Sequence, residues 1–293
     1  MNSIKKMMLS GALGCLISGM AYADGSSPQP VKPYWQDIQV VAVNKEKPRS
    51  SFMSYADRET ALTSRFEKSP YYSLLNGTWK FFFVDSYKDL PQNITDPSVN
   101  TSSWDDITVP GNWEVQGHGV AIYTNHGYEF KPKNPQPPLL PEANPVGVYR
   151  RDIEIPANWD NRDIYLHIGG AKSGLYVYLN GKEVGYSEDS KNPAEFLINK
   201  YLQPGKNVLT LKIFRWSTGS YLECQDFWRM SGIERDVFLW SQPKASIQDF
   251  RVVSTLDDTY TNGIFKLAVD LKNHTQETKN LNVGYELLDA KGN

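Results

Sequence analysis

The strongest constraint on the fold is a period of two. Gly174-Leu-Tyr-Val-Tyr-Leu179 runs into Asn180-Gly181, and Glu183-Val-Gly-Tyr-Ser187 leads away from it. Successive side chains of a strand point to opposite faces, so alternating runs on either side of an Asn-Gly pair read as a hairpin. The same grammar recurs along the chain. Val148-Tyr-Arg-Arg-Asp-Ile-Glu-Ile155 stops at Pro156, and Asp163-Ile-Tyr-Leu-His-Ile168 alternates. Glu195-Phe-Leu-Ile-Asn-Lys-Tyr-Leu202 closes at Pro204-Gly205, and Asn207-Val-Leu-Thr-Leu-Lys-Ile-Phe214 follows. Upstream, Trp79-Lys-Phe-Phe-Phe-Val84 lies behind an Asn76-Gly77 turn, and Ile107-Thr-Val109 ends at Pro110-Gly111. Many short strands with turn signals between them predict an all-β sandwich. No segment alternates strand with helix as a (β/α) barrel would.

One stretch breaks the rhythm. Between Phe214 and Val237 lie about twenty residues without helical or strand period, and loops of that length are either functional or disordered. Disordered segments are poor in aromatics, whereas this one holds Trp216, Tyr221 and Trp228. It also carries Arg215, Glu223, Asp226, Arg229, Arg235 and Asp236, three charged pairs in waiting. Two readings are open. The charges satisfy one another inside a packed loop, or carboxylates beside aromatic rings bind a sugar, the acid taking hydroxyl hydrogen bonds while a ring covers the apolar face. A second loop-rich region, residues 112–144, contains Ile122-Tyr-Thr-Asn125 and then Lys131-Pro-Lys-Asn-Pro-Gln-Pro-Pro138. Proline there imposes an extended path outside any central strand. That loop either presents Asn125 to a site or is a surface excursion.

The loop sequence Ser217-Thr-Gly-Ser-Tyr-Leu-Glu-Cys-Gln-Asp-Phe-Trp-Arg-Met-Ser-Gly-Ile-Glu-Arg-Asp-Val237 resembles the signature of the β-galactosidases of glycoside hydrolase family 2. Leu75-Asn-Gly-Thr-Trp-Lys-Phe81, Val109-Pro-Gly-Asn-Trp-Glu-Val-Gln-Gly117, Ile122-Tyr-Thr-Asn125, Asn144-Pro-Val-Gly-Val-Tyr149 and Phe214-Arg-Trp216 are similar to that family as well. The resemblance implies a jelly-roll, galactose-binding-like sandwich over residues 71–242, followed by the first part of an immunoglobulin-like sandwich over 243–293. It implies that Asp226 binds the galactosyl hydroxyls and a monovalent cation, and that Asn125 hydrogen-bonds the same sugar. A carboxylate and an amide suit hydroxyls because they offer acceptors and donors in fixed geometry. Arg229 and Asp236 are expected as partners that shape the loop.

Family members cleave with two carboxylates through a retaining route. In the resemblance both are glutamates on a (β/α)8 barrel, and no segment here reads as that barrel, so no catalytic residue is expected in this chain. Magnesium and sodium are implied for the full-length enzyme and no cofactor for this chain. The resemblance also implies β-galactoside sugars as partners and a homo-oligomer when full length. Thr218 and Cys224 depart from the acids usual at those positions, which bears on cation affinity and loop rigidity. Two other readings remain: a stand-alone carbohydrate-binding module, or another specificity of the family such as β-glucuronidase or β-mannosidase.

The flanks complete the reading. Lys5-Lys6, the apolar run from Met7 to Met20 and Ala21-Tyr-Ala23 form a signal peptide over residues 1–23, which predicts an exported, periplasmic or secreted protein. Lipidation at Cys15 is the rival, weakened by the apolar residues that continue past it. Residues 24–70 read as an extended arm, with a short helical turn over 57–63. Cleavage would leave Cys224 as the one cysteine and no disulfide, with Cys224 expected as a small buried filler. The histidines at 118, 126, 167 and 274 are scattered, so no zinc site is expected. A net charge of −2 gives no reason to expect nucleic acid or a membrane surface as partner. After residue 244, Ala245-Ser-Ile-Gln-Asp-Phe-Arg-Val-Val-Ser254, Gly263-Ile-Phe-Lys-Leu-Ala-Val-Asp-Leu271 and Leu281-Asn-Val-Gly-Tyr-Glu-Leu-Leu288 are three expected strands. Asp289-Ala-Lys-Gly-Asn293 has the composition of a turn, so further strands of that sandwich are expected beyond it.

Overall fold

Two antiparallel sheets face each other in the computed structural model, which describes residues 32–130 and 133–289. The signal-peptide reading, Cys15, residues 24–31 of the arm and residues 290–293 of the expected turn fall outside these residues. From Pro33 onward the chain forms one unit. Its larger sheet has seven strands in the order Ala42–Val43, Lys182–Ser187, Gly174–Leu179, Lys206–Phe214, Val146–Glu154, Gly77–Val84, Asp105–Val109. The smaller has four: Ala194–Leu197, Arg162–Ile168, Val237–Pro243, Tyr72–Leu74. This is the all-β sandwich that the alternation predicts, and neither sheet closes on itself.

Alternation decides which side of each strand meets the core. Leu209, Leu211 and Ile213 of Lys206–Phe214 point between the sheets with Trp79, Phe81, Tyr149 and Val177. Leu166, Ile168, Phe196 and Leu239 answer from the four-stranded sheet, all fully buried. Each such side chain contributes about 1.5–3 kcal/mol on burial, an upper bound because the unfolded chain already hides part of its surface. The opposite face of the large sheet is also covered: Trp35 stacks on Phe214 at 4.9 Å, in a cluster with Tyr176, Tyr178 and Tyr186. That explains why the Gly174–Leu179 strand is buried along its whole length. On the outer face of the small sheet, Met53 of the arm joins Tyr165, Phe238 and Trp240.

The Asn180-Gly181 turn takes positive φ at both residues, 53° and 77°, the mirror-image geometry that lets two strands meet without splaying. Its Asn180 amide donates to Asn207 Oδ1 at 2.8 Å while its carbonyl accepts from Val208 N at 2.9 Å. Gly147 is required by close approach, since a Cβ there would lie 2.6 Å from Trp113 and 2.8 Å from Phe81.

Two expectations change and a third, the helical turn of the arm, is met. The run 195–202 is a strand only to Leu197, and Asn199–Tyr201 is a 3-10 turn whose Asn199 side chain caps Ile164 N at 2.8 Å. The expected turn in the arm is a short α-helix, Arg58–Leu62, capped by Asp57 through Thr60 N. Beyond the sandwich, Ala245–Leu256 and Gly263–Asn273 pair as a hairpin, but residues 281–288 form no strand. Alternation makes a segment amphipathic; strand geometry also needs a neighbour to bond, and this segment has no ladder partner among the described residues.

Candidate functional site

The loop between Phe214 and Val237 does not float. Ser217 caps a 3-10 turn, Thr218–Tyr221, reciprocally with Ser220, and Phe227–Arg229 becomes a short strand. That strand pairs antiparallel with Ile122–Thr124 from the other loop-rich region: Phe227 faces Thr124, Trp228 faces Tyr123, Arg229 faces Ile122. Antiparallel register puts Asn125 and Asp226 one step past the Phe227–Thr124 pair, at the same end of the ribbon. The structure therefore brings the two expected site residues together from distant parts of the sequence.

Both are exposed. Tyr123 donates its hydroxyl to Asp226 Oδ1 at 2.9 Å. That bond to a carboxylate pushes the phenol above its ordinary range. Asn125 Oδ1 lies 2.6 Å from His126 Nδ1, and Thr124 Oγ1 donates to His126 O at 2.6 Å. Directly opposite one another, the Tyr123 and Trp228 rings pack with centroids 5.7 Å apart. They remain 56 % and 52 % exposed. Large aromatic rings left in water beside an acid and an amide form a platform with acceptors and donors at its edge.

Beneath the ribbon the charges are buried, and their partners come from outside the loop. Arg229 is 1 % exposed and faces Glu129, Nε to Oε2 at 3.7 Å. The indole of Trp216 donates to Glu129 Oε1 at 2.9 Å. Arg215 lies 3.7 Å from Glu114, itself an acceptor from Ser231 N at 2.8 Å. Burial raises the Glu114 carboxyl above the usual range despite that bond. Glu188 accepts from Tyr186 at 2.7 Å and from Gly219 N at 2.6 Å, and burial raises its carboxyl also. Glu223 accepts from Ser190 N and Oγ at 2.8 and 2.6 Å, again with its carboxyl raised by burial.

The three charged pairs anticipated within the loop are thus not formed with one another. Asp236 accepts from Asn76 at 2.7 Å, and Arg235 donates to backbone carbonyls, Gly169 O among them at 3.3 Å. Arg229 and Asp236 do act as shaping contacts, but Glu114, Glu129 and Glu188 escaped the sequence reading. For Glu129 the available signal was a carboxylate between Tyr128 and Phe130, a setting poor for a solvated charge. Cys224 is half-buried rather than buried, and burial followed by Glu129 pushes its thiol up to about 11.

The sandwich and its loop coincide with a recognised family. The family model described as "Glycosyl hydrolases family 2, sugar binding domain" matches residues 72–243. The chain belongs to that family. Among curated relatives of this family-2 chain, a β-galactosidase of Priestia megaterium is 39 % identical over 262 residues, 88 % of this chain and 25 % of the relative. A β-galactosidase of Actinobacillus pleuropneumoniae is 38 % identical over 259 residues, 88 % of this chain and 24 % of the relative. The chain thus spans about a quarter of the length of these relatives. A solved structure of a β-glycosidase from Bacteroides vulgatus superposes with a TM-score of 0.52 at 22 % identity, covering 70 % of this chain and 25 % of that one. That likeness shows the shared sandwich fold.

The donor set at the ribbon does not fit a metal ion on its own. Asp226 is a single carboxylate with one oxygen already engaged by Tyr123, and no group of three or more His, Cys, Asp or Glu suited to an ion occurs among the described residues.

Proposed function

We propose that this chain is the sugar-binding, N-terminal region of an exported β-galactosidase, which removes terminal β-D-galactosyl residues by a retaining double displacement. In this reading the two catalytic glutamates are supplied by a (β/α)8 barrel, and the present residues bind and orient the galactosyl group. The observation that carries it is the ribbon register, which sets Asn125 beside Asp226 next to the exposed Tyr123 and Trp228 rings. Asp226 Oδ2 and the Asn125 amide are the groups to take sugar hydroxyls, while a ring face covers the C–H side of the pyranose. The names of the curated relatives favour galactose over glucuronic acid or mannose. Export follows from the signal-peptide pattern over residues 1–23, and a mature chain starting at Asp24 by mass spectrometry would exclude lipidation at Cys15. Magnesium and sodium are proposed for the full-length enzyme, whose homo-oligomeric state is part of the same reading.

The test is calorimetric titration of the chain with methyl β-D-galactoside. Binding is expected, with Asp226→Ala and Asn125→Ala each weakening it about tenfold or more, the size of a lost charged or amide hydrogen bond in a desolvated contact. Unchanged affinity in Asp226→Ala would overturn the site assignment. Equal affinity for methyl β-D-glucuronide would move the reading to another specificity.

A further inference from the structure

The outer face of the four-stranded sheet is only partly covered by the arm. Beside the arm a cleft of about 320 Å³ is lined by Ser51, Phe52, Phe66, His167 and Asn192. Ser51, Phe66 and His167 also line a more open cleft of about 800 Å³ that includes Arg235 and Asp236, so the two adjoin along these shared side chains. Neither is lined by the ribbon residues Tyr123, Asn125, Asp226 or Trp228. The volume is that of ordinary small-molecule sites.

The floor is rigid and aromatic. His167 lies flat on Phe238, centroids 4.2 Å apart and 14° between planes. Its Nδ1 is held at 2.8 Å by Glu195, whose carboxylate also takes Arg49 Nε and Nη2 at 2.8 Å and Trp240 Nε1 at 3.1 Å. That saturated carboxylate offers little more to a ligand. Around the rim, polar atoms without a partner among the described residues remain: His167 Nε2, Asn192 Oδ1, Ser51 Oγ and Asp236 Oδ2. Asn192 spends its amide on Asp189, and Asp236 spends its other oxygen on Asn76. Around each cleft three carboxylates stand against two Lys or Arg side chains and His167, a near balance of charge that favours a neutral ligand over a strongly charged one. Rings below with hydroxyl, amide, imidazole and carboxylate groups at the rim suit a neutral polyhydroxylated chain.

We propose that this groove is a second carbohydrate site, taking a neutral hexose oligosaccharide along the sheet face, separate from the ribbon. The test is NMR titration of the isotope-labelled chain with β-1,4-linked galactotetraose. Resonances of Ser51, Phe66, His167 and Asn192 should shift, and should still shift in Asp226→Ala. Ser51→Trp, at an exposed position that fills the groove without touching the core, should abolish those shifts. Phe66→Ala should weaken them about five- to tenfold, the size of one lost aromatic contact. Absence of groove shifts in the wild type, or their persistence in both groove variants, overturns the proposal. Equal shifts with tetragalacturonate overturn the choice of a neutral ligand. Because the readout is residue-resolved, loss of response at Asn125 and Asp226 alone would refute the ribbon site and leave the groove standing.

Discussion

Replacing Glu129 by alanine should destabilise the sandwich more than any single change on the ribbon surface. Glu129 is 3 % exposed at its side chain and Arg229 is 1 % exposed. Removing the carboxylate strands a buried guanidinium, which typically costs about 3–5 kcal/mol. Arg229 Nε and Nη1 have no hydrogen-bond partner among the described residues and Nη2 has only Thr124 O at 3.4 Å, so its accommodation depends more on the nearby charge than on directional bonds. The indole of Trp216 loses its acceptor too, a charge-assisted bond of about 1.5–3 kcal/mol that overlaps the first loss rather than adding to it. The expected total is about 3–5 kcal/mol, or a fall in Tm of about 6–20 °C for a domain of this size. Glu129→Gln keeps a carbonyl for Trp216 and should lose less. The decisive variant is Glu129→Ala with Arg229→Met, which removes the stranded charge and should recover about 1–3 kcal/mol relative to additivity. Urea unfolding followed by tryptophan fluorescence reads the wild type, Glu129→Gln, Glu129→Ala, Arg229→Met and the double variant. A loss below about 1 kcal/mol in Glu129→Ala, or strict additivity in the double variant, would refute the account of a charge-compensated strut.

Further expectations follow from other contacts. Glu188 has its carboxyl raised by burial, so its stabilising effect is complete below the ordinary carboxylate pKa of about 4.3 and is lost as pH rises through the folded value; urea midpoints of Glu188→Gln should decline less over that rise than those of the wild type. Glu195 has the opposite sign: burial alone would raise it, but the His167 and Arg49 bonds outweigh that and hold it low, so its contribution is present above about 4.3 and lost as pH falls through the folded value. Glu195→Gln should therefore flatten the acid limb of the same plot. Gly147→Ala should cost about 1–3 kcal/mol by urea unfolding, because Trp113 and Phe81 occupy the space of the new methyl. Cys224, with its thiol pushed to about 11, should react with a disulfide reagent at pH 8 at least an order of magnitude more slowly than a free thiol of pKa about 8.5.

What was legible in the sequence had a short range. Asn180-Gly181 announced its hairpin because both positions need positive φ, and Asn207 to Phe214 announced a strand because the core selects every second residue. Asp226 and Asn125 were legible as motif residues, but not the ribbon that joins them, since Ile122–Thr124 carries no strand pattern by itself. The partners of the buried acids Glu114, Glu129 and Glu188 were illegible for the same reason, although the rings flanking Glu129 marked it as a poor place for a solvated charge. Each finds its partner through the tertiary fold, Arg215 for Glu114 and Arg229 for Glu129, and spacing along the chain holds no record of that. Residues 281–288 failed in the other direction, with a pattern but no ladder.

The hydroxyl of Tyr123 and the carboxylate of Asp226 that receives it are 103 positions apart along the chain. A ribosome releasing this polypeptide exposes Asn125 long before Arg229, and during that interval one strand of the ribbon exists without the other. The central strands Val146–Glu154 and Lys206–Phe214 are made inside that interval. The ribbon can therefore close only after those strands have been made, and in the proposed reading a labelled galactoside would report that its two halves have met rather than collapse of either one.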